Sequence, residues 1–125
     1  MKKRTIFFVS ILIALSIYCC KYDFIIPVEV PPVTEPVSFS TQVAPIFSTS
    51  SKCISCHKSG GQAPDLTAAS AFASIVPNLV NTVTPETSLI YSFPAPTTTT
   101  HTWKKYTASE AAIVLAWIQQ GAKNN

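Results

Sequence analysis

The chain has 125 residues, 47% hydrophobic and 12% charged, with 9 basic and 6 acidic side chains and a formal net charge of +3. That length holds one small domain with appendages. The positive excess is local: Lys2, Lys3 and Arg4 supply three of the basic residues, and the rest of the chain carries six basic against six acidic side chains. Nucleic-acid recognition needs a basic patch outside such a leader, and none is apparent.

"MKKRTIFFVSILIALSIYCC" opens on the three cations and continues as an apolar run from Ile6 to Tyr18, interrupted only by Ser10 and Ser16. A membrane-spanning helix needs about 20 apolar residues, and this run is shorter. Cations followed by a short apolar stretch form the pattern of an export signal rather than of a core helix. The end of the run resembles a bacterial lipoprotein signal. Cys20, preceded by the small Cys19, is the expected lipid-bearing residue, and residues 1–19 are the expected signal peptide. The location this implies is the cell envelope, on its periplasmic or outer face. The alternative is plain secretion.

Residues 20–38 contain Pro27, Pro31, Pro32 and Pro36. Four prolines forbid a continuous helix and favour extended chain. This segment reads as a semi-rigid tether, spanning roughly 55 Å at about 3.1 Å per residue. An edge strand over "DFIIPVEV" is the competing reading. Residues 39–125 form the predicted domain.

A first helix is expected with Ser40 as its N-cap, Phe39 ahead of it, and Val43, Ile46 and Phe47 on one face. A second is expected over Thr67–Ile75, stopping before Pro77. A third is expected over Pro85–Tyr91, with Thr84 as cap and Pro85 in the first position. "FPAPTTTTHTW", residues 93–103, reads as an extended loop. The last helix is the clearest: "TASE" is a capping box of Thr107 and Glu110, Ala111, Val114, Leu115 and Ile118 make an apolar stripe with Trp117 beside it, and Gly121 is the stop. Strand signals are weak throughout, so the predicted class is all-α, three to four helices. A domain this small buries little core for its surface, and such domains often need a staple. A large apolar cofactor would serve.

"SKCISCHKSG" places Cys53, Cys56 and His57 within five positions. C-x-x-C-H is the attachment pattern of c-type haem. Each thiol adds across one vinyl group of the porphyrin, two intervening residues bridge the neighbouring pyrroles, and the adjacent imidazole reaches the iron. After signal removal and acylation of Cys20, Cys53 and Cys56 are the remaining thiols. In an oxidising compartment unprotected thiols pair, yet this spacing allows only a small, reactive ring. A redox dithiol is disfavoured because such motifs sit on α/β folds. A zinc site from Cys53, Cys56, His57 and His101 has enough ligands, but a histidine directly after the second cysteine is poorly placed to join both thiolates on one ion.

The region 39–125 resembles a class I c-type cytochrome domain, of the single-haem kind found in exported and membrane-anchored bacterial proteins. The resemblance rests on "CISCH", on "GGQAPDL" after it, and on "PIFSTSSKCISCH" and "AWIQQGA" at the two ends. It implies one covalent haem, with Cys53 and Cys56 as its attachment points and His57 as the proximal ligand. It implies that the carbonyl of Pro64 accepts a hydrogen bond from the free ring nitrogen of His57, fixing tautomer and orientation. It also implies crossed first and last helices with an aromatic contact, for which Phe47 and Trp117 are the candidates.

The chain departs from that family in one respect. The family's second ligand is a methionine from a loop before the last helix, and the only methionine here is Met1. His101 lies in the corresponding loop and is the candidate sixth ligand, with an open site, Lys104 or Lys105 as alternatives. Histidine on both faces suits electron transfer at a lower potential than methionine–histidine ligation. An open iron suits binding of NO, CO or peroxide by a sensor or accessory subunit. Trp103 is expected to cover the haem edge or to donate its N–H to a propionate. Lys104 and Lys105 are positioned to steer an acidic redox partner. Peroxide chemistry is disfavoured because the single arginine, Arg4, belongs to the leader, so no catalytic residues are expected. The expected partners are redox proteins of the cell envelope and, through Cys20, the membrane, with no nucleic acid.

Overall fold

The computed structural model describes residues 30–125, apart from the side chain of Ser51. The leader, Cys20 and the first part of the Pro-rich segment lie outside the described residues, as does nearly all of "DFIIPVEV". Among the described residues there are four helices and no strands, so the domain is small and all-α. None of these helices is long and apolar enough to cross a membrane.

Helix α1 starts as a π-helical turn, Phe39–Val43, and runs directly into an α-helical segment, Ala44–Ser48. Its cap is Ser38, two residues ahead of the expected Ser40: the Ser38 side chain accepts from the Thr41 N–H at 3.4 Å. The shift has a packing cause. Phe39 is buried in the core rather than lying in front of the helix, so the helix must begin early enough to include it. Pro45 offers no N–H to the turn before it. There the ladder widens to i→i−5, with the Val43 N–H on Ser38 O at 3.3 Å and the Ala44 N–H on Phe39 O. The expected face of Val43, Ile46 and Phe47 is buried.

Helix α2 is Ala71–Ile75, shorter than expected at its start. The Asp65 carboxylate accepts from the Thr67 N–H (3.0 Å) and the Thr67 hydroxyl (2.6 Å), so residues 67–70 form a turn leading into the helix instead. The expected third helix is split. A 3₁₀ turn, Pro85–Thr87, is separated from α3, Leu89–Ser92, by Ser88 in an extended conformation (φ −56, ψ 126). Ser88 is held there because its hydroxyl, buried in the core, accepts from Asn81 N at 2.9 Å and donates to Asn81 O at 3.2 Å.

Helix α4, Ala108–Gln119, has its capping box in place: Thr107 Oγ1 accepts from Glu110 N at 3.2 Å and Glu110 Oε2 accepts from Thr107 N at 2.7 Å. Gly121 follows with φ +95, the left-handed stop that glycine adopts at no steric cost. Its buried set is Ala111, Val114, Ala116, Trp117 and Ile118, whereas Leu115 is only half-buried. The single stripe is broadened because Trp117 is an aromatic hub. Phe39 packs on it with ring centroids 5.2 Å apart and Phe72 with centroids 6.4 Å apart, and its indole N–H donates to Lys123 O at 2.9 Å. The aromatic contact between first and last helices is therefore Phe39 with Trp117. Phe47 is fully buried, and its main chain has another task, described below.

The end of the Pro-rich segment belongs to the fold. Val33 packs against the core, Val37 is buried, the Val37 N–H donates to Gln120 Oε1 at 2.7 Å, and Gln120 Nε2 donates to Glu35 O at 3.0 Å. The packed unit thus starts several residues before 39.

Two substitutions test this packing in urea unfolding of the purified protein. Trp117→Ala is expected to cost about 3–5 kcal/mol, and Thr107→Ala about 1 kcal/mol through the lost cap. A Trp117→Ala loss below that of Thr107→Ala would contradict the aromatic hub.

Candidate functional site

The C-x-x-C-H stretch hangs from the end of α1. The chain reverses through Ser50 (φ +54), and the N–H groups of Cys53 and Ile54 both donate to the carbonyl of Phe47, at 2.9 and 3.3 Å. The main chain of a core residue thus fixes where the motif begins. Cys56 N and His57 N both donate to Cys53 O, at 3.1 and 2.9 Å, closing one turn. This turn brings Cys53, Cys56 and His57 to the wall of one cavity. Gly61 then passes so close to Cys56 that a β-carbon would collide with the Cys56 carbonyl, which also accepts from Gln62 N at 2.9 Å. Only glycine fits there without displacing backbone.

The chain returns past the imidazole. Leu66 N donates to His57 O at 3.0 Å, and His57 Nδ1 lies 3.2 Å from the carbonyl oxygen of Pro64. A carbonyl only accepts, so this contact puts the proton on Nδ1 and leaves Nε2 with a free lone pair, the form a metal binds. It is the contact that the resemblance to cytochromes implies for Pro64.

The opposite wall comes from residues 93–106. Its neck is closed by Tyr106 N donating to Pro94 O at 2.9 Å and by the buried Tyr106 hydroxyl donating to Ile90 O at 2.9 Å. Inside the loop, the Lys105 ammonium donates to the carbonyls of Thr98 and Pro96. Lys105 is thereby committed to bracing the loop. It does not line the cavity, so it fits neither the role of iron ligand nor that of a free steering charge. Lys104, with φ +52, does line the cavity, and its ammonium donates to Ser55 Oγ at 3.3 Å, crossing back to the C-x-x-C-H turn. Trp103 stands on the cavity rim, 70% exposed. No hydrogen bond fixes its indole among the described residues.

The cavity has a volume of about 700 Å³, within the range of about 300–1,000 Å³ in which proteins enclose organic ligands. Leu66, Leu79, Ile90, Phe93 and Tyr106 supply apolar wall. His57 and His101 both line it, their ring centroids 6.3 Å apart and their planes inclined by 24°. An imidazole nitrogen binds a transition metal at about 2.0–2.1 Å, and the ring centre lies about 1.1 Å behind it, so two imidazoles on opposite sides of one metal have centroids about 6.3 Å apart. The residues present therefore fit a haem: two thiols and two imidazoles line one largely apolar cavity, the ring centroids 6.3 Å apart, a separation compatible with one metal between them. They fit a bare ion poorly, since no three His, Cys, Asp or Glu side chains among the described residues are grouped to hold one.

The thiols fit the same reading better than a reactive dithiol. Neither Cys53 nor Cys56 is in a disulfide. Burial pushes the Cys53 thiol up, more than the neighbouring Lys52 pulls it down, whereas reactive cysteines have depressed values. At the cavity mouth Lys52 pairs with Glu110. Partial burial pushes the Glu110 carboxyl up, but hydrogen bonds from Lys52 and Thr107 outweigh it and leave it below its ordinary 4.5. One residue thus caps α4 and pins the start of the C-x-x-C-H stretch.

Sequence reasoning missed Leu79, Ile90, Phe93 and Tyr106 as cavity wall. Leu79 lies in the turn after α2, Ile90 on a four-residue helix too short to display a period, and Phe93 and Tyr106 read as loop residues. Phe93 carried a weak signal as a bulky aromatic beside Pro94; its ring meets His101 edge-on at 5.7 Å. No protein-family model, curated protein or solved structure matches the chain.

Two outcomes follow. Gly61→Ala is expected to cost about 1–3 kcal/mol by forcing backbone apart, measured by chemical unfolding; an unchanged midpoint would contradict the close approach. Glu110 has a folded value below its unfolded one, so its contribution is present above about pH 4.5 and is lost as pH falls through the folded value. Stability measured between pH 6 and 3 is expected to fall less steeply in Glu110→Gln than in wild type. Equal slopes would contradict the Lys52–Glu110 pairing.

Proposed function

We propose that the chain is an exported electron carrier holding one covalent c-type haem, with the described domain as its redox unit. One observation carries this reading: His57 and His101 line a single apolar cavity at trans-axial separation, with the two cysteines of a C-x-x-C-H stretch on its wall. The haem supplies reversible one-electron chemistry at its iron. The protein supplies everything else. Cys53 and Cys56 would hold the group covalently, each thiol adding S and H across one vinyl double bond with no oxidant needed. His57, oriented by Pro64, presents Nε2. His101 would hold the iron from the other side of the cavity, which would leave the resting centre saturated. The apolar wall excludes water, and Trp103 covers part of the rim.

In this reading Cys20 anchors the chain to the membrane through lipid, and the Pro-rich segment sets how far the domain reaches. The partners are redox proteins of the cell envelope. The charge pattern offers nothing to nucleic acid, and the chain has no arginine beyond Arg4 with which to activate peroxide. The family that this reading points to is the class I c-type cytochromes, with histidine in place of methionine as second ligand.

The test is expression of the full chain in a haem-maturing host. Wild type is expected to retain haem after denaturation, and Cys53→Ser/Cys56→Ser is expected to lose it; a haem-free wild type would sink the proposal. His101→Met is expected to raise the midpoint potential by about 0.1 V or more, a modest part of the roughly 0.8 V that axial ligands span. An unchanged potential would remove His101 from the iron.

A further inference from the structure

The two imidazoles are held in different ways. His57 is tied at three points: Nδ1 faces Pro64 O at 3.2 Å, its N–H donates to Cys53 O at 2.9 Å, and its carbonyl accepts from Leu66 N at 3.0 Å. Its neighbour Cys56 belongs to the same hydrogen-bonded turn. His101 has none of this. Its Nδ1 is buried without a hydrogen-bond partner, and neither its main chain nor that of Thr102 or Trp103 bonds to any described residue. Among the described residues, the rings that meet it are that of His57 and, edge-on at 5.7 Å, that of Phe93.

This asymmetry has a chemical consequence. A histidine that binds metal through Nε2 carries its proton on Nδ1. On His57 that proton meets a carbonyl, which orients the ring and makes it a stronger donor. On His101, bound in the same way through Nε2, that proton would sit on a buried Nδ1 with no partner, so ligation there would cost desolvation that the other face does not incur. A hydrogen-bond partner on the free nitrogen of a metal-bound histidine is worth about 10- to 100-fold in metal affinity. The loop also permits release. Its neck is held by Tyr106 and its interior by Lys105, whereas His101 can swing away without breaking any hydrogen bond of its own.

We propose that His101 is an exchangeable ligand, and that in the reduced protein a small neutral diatomic of the CO or NO class takes its place while His57 stays. The inference rests on the haem reading above and adds to it a gas-binding function on one face. The exchange moves no electrons: His101 leaves with its lone pair and the diatomic enters with its own.

The experiment uses the full-length haem-loaded protein, reduced, mixed with CO in stopped flow. The wild-type spectrum is expected to begin low-spin and to shift on CO addition, at a rate that levels off with CO concentration because His101 release becomes limiting. His101→Ala is expected to bind CO without levelling off, and about tenfold or more faster at low CO. Hydrogen exchange is expected to quicken at residues 99–103 on CO binding and to stay unchanged at 53–66. A low-spin haem whose spectrum ignores CO would overturn this inference and leave the electron carrier standing. So would a CO rate law that is the same in wild type and His101→Ala. A chain without haem would overturn both.

Discussion

His57 and His101 reach one cavity from two segments that share no regular structure, and the distance between their rings is set by the packing behind each. On one side the path runs from the Trp117 hub through α1 to the Phe47 carbonyl, and from there to Cys53 and His57. On the other it runs from α3 through Ile90 and Tyr106 to the neck of the 93–106 loop. The Lys52–Glu110 pair joins the two halves, since Glu110 caps α4 while Lys52 adjoins the first cysteine. The fold uses its few long contacts to hold two small groups at a separation that one metal spans.

That constraint accounts for features that packing alone leaves unexplained. A domain of this size gains stability by closing its core, yet this one keeps a cavity of about 700 Å³ walled by leucine, isoleucine and aromatic side chains. A cavity of that volume with mostly apolar walls is of the kind in which proteins hold organic ligands. Leu89, Phe93 and Trp103, the large side chains exposed around it, make sense as the edge of a covered group. The proposed haem would fill this cavity and carry the function, so that stability and redox chemistry would depend on the same atoms.

Much of the chemistry was legible in the chain itself, because it depends on short spacings. C-x-x-C-H is a local pattern, and so are the Thr107–Glu110 capping box and the Gly121 stop. Met1 is the one methionine of the chain, which leaves His101 as the metal donor of the loop before the last helix. What stayed hidden depends on contacts between distant residues. Nothing around Ser38 and Ser40 says which caps α1; the choice is made by Trp117, which draws Phe39 inward. Lys105 reads as a surface charge until the loop folds two carbonyls onto it. Leu79 lies in a turn and Ile90 on a helix of four residues, neither of which carries a period, and only the closed fold turns them to the cavity. Pro64 was reachable through resemblance but not through its local sequence.

The most direct measurement is a crystal structure of the full chain purified from a haem-maturing host. The account predicts one iron between His57 and His101, bound by a nitrogen of each, with the sulfurs of Cys53 and Cys56 bonded to the same porphyrin. A structure in which Cys53 and Cys56 form a disulfide, or in which the 93–106 loop carries His101 away from a haem ligated on its second face by another residue, would contradict it.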